Sequence, residues 1–89
     1  MEFEWDPEKG EANFIKHGIR FMEAASVFID DQLLTTLDQS TEEERYIAVG
    51  RGYAGTVLFV VYTVRGESIR LISARKATAK ERGEYEQRK

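Results

Sequence analysis

The chain has 89 residues, 42% of them hydrophobic and 33% charged, with a formal net charge of −3, a length and balance that build one hydrophobic core and no second catalytic domain. Cysteine is absent and histidine occurs once, which excludes a disulfide scaffold, a thiol nucleophile and a Cys- or His-rich metal centre. The longest apolar run, Val57 to Tyr62, falls far short of the about 20 residues of a membrane span, and Met1-Glu2-Phe3-Glu4 lacks the basic start of a secretory signal. Residues 1–89 are therefore expected to form a single cytoplasmic domain with no membrane partner.

Trp5-Asp6-Pro7-Glu8 predicts a helix start. Asp6 can accept a backbone N–H as N-cap, Pro7 suits the first helical position, and Glu8 favours the positive end of the dipole. That helix runs to His17, with Gly18 as its stop. Phe21, Ala24, Ala25 and Phe28 recur at helical spacing and predict a second helix, ended by Asp30-Asp31. Leu33 to Asp38 then reads as a strand and Gln39 to Glu44 as a turn. Arg45 to Gly50 alternates in part, Arg51 to Gly55 supplies turn glycines, and Thr56 to Val64 is apolar enough for a central strand. Arg65-Gly66-Glu67-Ser68 predicts a tight hairpin into the last strand, Ile69 to Lys76. Thr78-Ala79-Lys80-Glu81 is a capping box that opens a final helix to the C-terminus. A short strand precedes all of these. The order predicts an α+β domain, with two N-terminal helices packed on a four-stranded antiparallel sheet and a C-terminal helix.

Charge is divided unevenly along the chain. Residues 1–44 hold twelve Asp and Glu against three Lys and Arg, and residues 45–89 hold four against ten. A cationic half fits a polyanion partner, because each phosphate neutralised by Arg or Lys releases condensed counterions; the alternative is that the two halves pair with each other across the fold. Lys9, Asn13 and His17 form a polar stripe on the first helix with Lys16 beside them, while Ala12, Ile15 and Ile19 occupy another face. Histidine is the side chain that ordinarily changes charge near neutrality, so His17 could carry a proton, or it could bond terminal carbonyls at the helix end.

Strand arithmetic sorts the arginines. With Gly66-Glu67 as the turn, Arg65 faces Ser68, Thr63 faces Arg70 and Leu58 faces Arg75, so Arg65 and Arg70 share a face and Arg75 projects from the other. Arg51, in the turn before that strand, should then lie with Arg75 and Lys76 as an anion clamp. Pairing Gly50 with Thr56 sets Arg45 opposite Val61 and gives a rival cluster of Arg45, Arg65 and Arg70. Arginine at strand ends also commonly pairs with surface carboxylates. No Gly-rich phosphate loop, nucleophilic triad or EF-hand spacing occurs, so neither cofactor nor metal is expected.

Trp5-Asp6…Lys9…Asn13…Lys16-His17-Gly18-Ile19, Phe21…Ala24…Val27-Phe28, Glu43…Arg45…Gly50 and Val61-Tyr62-Thr63…Arg65 resemble the BrnT toxins of bacterial type II toxin–antitoxin systems. So does Arg70…Ile72-Ser73-Ala74-Arg75-Lys76-Ala77-Thr78…Glu81-Arg82…Tyr85. The resemblance spans nearly the whole chain in the right order. It implies a RelE-like fold, ribonuclease activity that inhibits translation, and neutralisation by an antitoxin with a ribbon-helix-helix domain, through which the complex binds operator DNA. It also favours Arg51 with Arg75 over the Arg45 cluster.

RNA cleavage of this kind needs no metal. The protein must align the strand, stabilise the phosphorane and move protons. On this reading Arg51 and Arg75 stabilise the phosphorane, His17 carries the proton, Lys9 and Asn13 orient the strand, and Lys16, Arg65, Arg70 and Lys76 hold flanking phosphates. The competing function is a non-enzymatic toxin that docks on a protein target, since shape alone does not settle function. Direct DNA binding by this chain is disfavoured by its acidic N-terminal half and the lack of a recognition-helix pattern.

Overall fold

Local chemistry sets the first helix where the sequence puts it. In the computed structural model, which describes residues 1–87, helix α1 spans Pro7–His17 and follows a short strand β1, Glu2–Glu4. The Asp6 carboxylate accepts the Glu8 N–H at 2.9 Å, Pro7 opens the helix, and Gly18 ends it with a left-handed φ of 74° that a side chain would strain. Its N–H then closes on the Phe14 carbonyl at 2.8 Å. Helix α2, Phe21–Ser26, is short and tightens into a single 3-10 turn, Val27–Ile29, before Asp30 turns extended.

Strands β2 (Leu34–Asp38), β3 (Arg45–Arg51), β4 (Val57–Arg65) and β5 (Ser68–Lys76) follow, and α3 covers Ala79–Gln87. The expected continuation of α3 through residues 88 and 89 lies outside the described residues. The sheet order is β1-β5-β4-β3-β2. It therefore has five strands and is mixed, where four antiparallel strands were expected. Hairpin turns make β2 to β5 antiparallel, but β1 pairs parallel with β5, from Glu2↔Ser68 to Glu4↔Arg70. Phe3, alternating between two glutamates, points inward and meets the Phe28 ring at 5.4 Å. The segment from β1 to β2 thus carries α1 and α2 across one face, from one edge of the sheet to the other.

The main core lies between these helices and the sheet, with Ala24, Val27, Ala48, Leu58 and Val60 fully inaccessible. Gly50 permits this approach, because a Cβ there would meet Leu33 Cδ1 at 2.7 Å. A smaller cluster on the opposite face packs Val49, Val57 and Ala77 around Tyr85 of α3. One face of α1 inverts the expectation: Ile15 is 78% exposed, whereas Asn13 is only 7% exposed.

The β4–β5 ladder begins as expected, with Arg65↔Ser68 and Thr63↔Arg70. A bulge then intervenes, since Tyr62 pairs with Leu71 but Val61 pairs with Ser73, leaving Ile72 without an opposite residue. Beyond it the register is shifted by one, Phe59↔Arg75 and Leu58↔Lys76. A slip of one residue exchanges the two faces of a strand, so Arg75 shares the face of Arg70 and Arg65 and does not project from the other. The β3–β4 ladder is displaced by two residues from expectation, with Gly50 opposite Leu58 and not Thr56. The parity of Arg45 survives that shift.

Candidate active site

Strand β1 covers β5 only as far as Arg70, which leaves the outer edge of its later residues open. Asn13 fills that role from α1. Its amide nitrogen donates to the carbonyls of Ala74 and Ile19, each at 2.9 Å, and its oxygen accepts the Ala74 N–H at 3.0 Å. A single side chain thus satisfies both backbone groups of Ala74, as a neighbouring strand would. Both polar atoms of Asn13 are engaged in this clamp, which holds α1 against β5.

With Asn13 turned inward, Lys9, Lys16 and His17 flank it around a shallow hollow of about 220 Å³, closed on the sheet side by Ile72 and Ser73. Lys9 and Lys16 are exposed and His17 is half-buried. Among the described residues none of the three has an ion-pair partner within 4.0 Å. The bulge shapes this hollow, since Ile72 is its extra residue, and Ser73 lies two residues before Arg75 on the same face.

By register, Arg45, Arg51, Arg65, Arg70 and Arg75 all project from the face opposite α1 and α2. Between them run Ile47, Phe59 and Val61, half-buried. Arg45 pairs with Glu43 at 3.0 Å and Arg70 with Glu4 at 3.4 Å. Arg75 lies 4.0 Å over the Phe59 ring and forks onto Glu81 at 2.9 and 3.0 Å. Arg65 is exposed, and no partner for it occurs among the described residues.

The expected Arg51/Arg75 pair shares one face of the sheet, and each arginine has partners of its own. Arg51 stands opposite Val57 and Arg75 opposite Phe59 on the two sides of β4, with Tyr85 packed on Val57. Arg51 lines a separate hollow of about 310 Å³ with Asp30, Ile29 and Tyr53, and its Nη1 donates to the Gly55 carbonyl at 2.8 Å. Lys76, paired with Leu58, alternates to the side away from Arg75. His17 and Arg51 line different hollows.

Two carboxylates missed as functional in the sequence fasten α3 over the arginine face. Asp30 accepts the Tyr85 hydroxyl and the Arg51 N–H, the latter at 2.8 Å. Burial alone would push the Asp30 carboxyl up, but the bonds from Tyr85, Arg51 and Gln32 outweigh it and hold it below its ordinary value. The Arg75 fork does the same for Glu81, against a smaller upward push from burial. Both folded-state values are depressed, so their stabilisation is complete above the ordinary carboxylate range and is lost as pH falls through the lowered values. We expect α3 to loosen from about pH 4 downward, seen as faster amide exchange in Ala79–Gln87 while the Asn13 clamp stays protected. Glu81→Gln should flatten that response.

The family model for the ribonuclease toxin BrnT of type II toxin–antitoxin systems matches residues 5–81. The chain belongs to this family. It is a BrnT-type toxin, and ribonuclease action, as an endoribonuclease, is its activity. Among solved structures it is similar to the crystal structure of the Brucella abortus ribonuclease toxin BrnT, with a TM-score of 0.68 and 25% identity over 88% of this chain and 97% of that one. No curated protein sequence matches the chain. As a type II toxin, BrnT-type chains imply an RNA substrate and an antitoxin partner. None of the described helices is long and apolar enough to cross a membrane.

Proposed function

We propose that this chain cleaves RNA without a metal ion, at the hollow between α1 and β5. The observation that carries the reading is the grouping of Lys9, Lys16 and His17 around one opening, with no carboxylate partner among the described residues. His17 takes the proton of the ribose 2′-OH, the O2′–P bond forms as the P–O5′ bond breaks, and the departing O5′ takes a proton from water. A 2′,3′-cyclic phosphate and a free 5′-OH remain. Lys9 and Lys16 stabilise the charge that grows on the phosphorane oxygens. Arg65, Arg70 and Arg75 track flanking phosphates along the adjoining sheet face, with Phe59 and Val61 as its floor. Arg51 and Asn13 serve the scaffold in this scheme, and Lys76 lies outside it.

The reading extends to the cell. The chain acts in the cytoplasm, blocks translation by destroying RNA, and is neutralised by a ribbon-helix-helix antitoxin through which the complex binds operator DNA. The test is incubation of the purified, antitoxin-free chain with an RNA oligonucleotide in the presence of a chelator. Fragments ending in cyclic phosphate are the expected product. Intact RNA together with growth arrest in cells would replace the nuclease reading with docking on a protein target.

A further inference from the structure

The two edges of the sheet are finished differently. At one, β1 is three residues long with a glutamate at each end, and past it Asn13 occupies the backbone of Ala74. Shortness, charge and a covering helix are the usual ways an edge is closed to further pairing. At the other, β2 is two residues longer and carries one charge, Asp38 at its end. It pairs with β3 alone, without a bulge, from Leu34↔Val49 to Asp38↔Arg45. Its sequence Leu34-Thr35-Thr36-Leu37-Asp38 contains no lysine or proline, and Thr35, Thr36 and Leu37 are exposed. In an antiparallel edge strand alternate residues turn their N–H and C=O outward, and such a row accepts another strand.

Charge selects the occupant. Residues 21–44, which carry β2 and both its flanking turns, hold seven carboxylates and no lysine or arginine. Asp31 and Glu42, beyond the two ends of β2, are exposed and have no ion-pair partner among the described residues. A second copy of this chain joined β2 to β2 would set two such anionic segments side by side with no cation to offset them. RNA carries the same wrong sign.

We infer that the outer edge of β2 is a strand-addition site for an extended, β-branched segment of the antitoxin with lysine or arginine at its ends. The inference rests on the chain being a toxin held by a protein antitoxin. It does not rest on the RNA chemistry, because β2 lies three strands from β5 and the hollow at His17 stays open when the edge is filled. Main-chain hydrogen bonds supply the affinity and the flanking acids fix the choice of partner.

The test uses the full chain with two synthetic peptides, one of alternating threonine and valine with paired lysines at each end, the other with paired glutamates in their place. Amide exchange is expected to slow at residues 34–38 with the lysine peptide and not with the glutamate peptide. The double variant Asp31→Lys/Glu42→Lys should weaken the lysine peptide by about tenfold at low salt. Its RNA cleavage without peptide should equal that of the parent, which reports on the catalytic reading separately. Equal protection by both peptides, protection elsewhere on the chain, or unprotected β2 amides in the complex with the cognate antitoxin would each overturn the proposal.

Discussion

Alanine in place of His17 is expected to slow RNA cleavage by about 10²–10⁴-fold, the range a positioned general acid–base contributes. The structural alternative predicts a different magnitude. His17 ends α1, where a cation at the negative end of the dipole is worth about 0.3–1 kcal/mol at an exposed site. The helix stop itself is made by Gly18 and its bond to Phe14, which the substitution leaves in place. The unfolding midpoint should therefore move little while the rate collapses. Single-turnover cleavage of an RNA oligonucleotide, read beside the unfolding midpoint, distinguishes the two roles. A variant that keeps the parent rate removes His17 from the chemistry. Lys9→Ala and Lys16→Ala probe the same hollow from the side of charge, and their losses should shrink at high salt if they meet phosphate oxygens.

What the sequence made legible was whatever depends on neighbours along the chain. The ends of α1 follow from Asp6, Pro7 and Gly18, and the first pairs of the last hairpin follow from Gly66-Glu67. What stayed hidden depends on distant partners. The bulge at Ile72 has no glycine or other marker, yet it moves Arg75 to the face of Arg70 and so gathers five strand arginines on one surface. Asn13, set between lysines at helical spacing, reads as part of a solvated stripe. Its partners are the backbone groups of Ala74, sixty-one residues away, and only the open edge of β5 makes that backbone need them. The parallel pairing of β1 was equally invisible, since three residues with one inward side chain fit either direction. Asp30 looked like a helix terminator. Its link to Tyr85 appears only once α3 has folded back across the sheet.

The clamp at Asn13 leads to the largest expected loss of stability. Asn13→Ala removes the partner of the Ala74 N–H, the Ala74 carbonyl and the Ile19 carbonyl at a site the side chain buries almost completely. A buried polar group left unpaired costs about 1–3 kcal/mol. Three of them, partly relieved by entering water, put the expected loss at roughly 3–6 kcal/mol. A domain of this length has roughly 4–13 kcal/mol in all at 0.05–0.15 kcal/mol per residue, so the variant should be near or below its folding threshold. Asn13→Asp should fare no better at neutral pH, because a carboxylate still accepts from the Ala74 N–H but turns a charge and no donor toward the two carbonyls. Denaturant midpoints measure the loss, and amide exchange at Ala74 locates it. A change below about 1 kcal/mol would mean that water satisfies the open edge of β5 as well as Asn13 does. If Asn13→Ala stays folded with Ala74 protected yet cleaves RNA no faster than His17→Ala, the residue returns to the chemistry, and the division between the catalytic hollow and the scaffold that shapes it has to be redrawn.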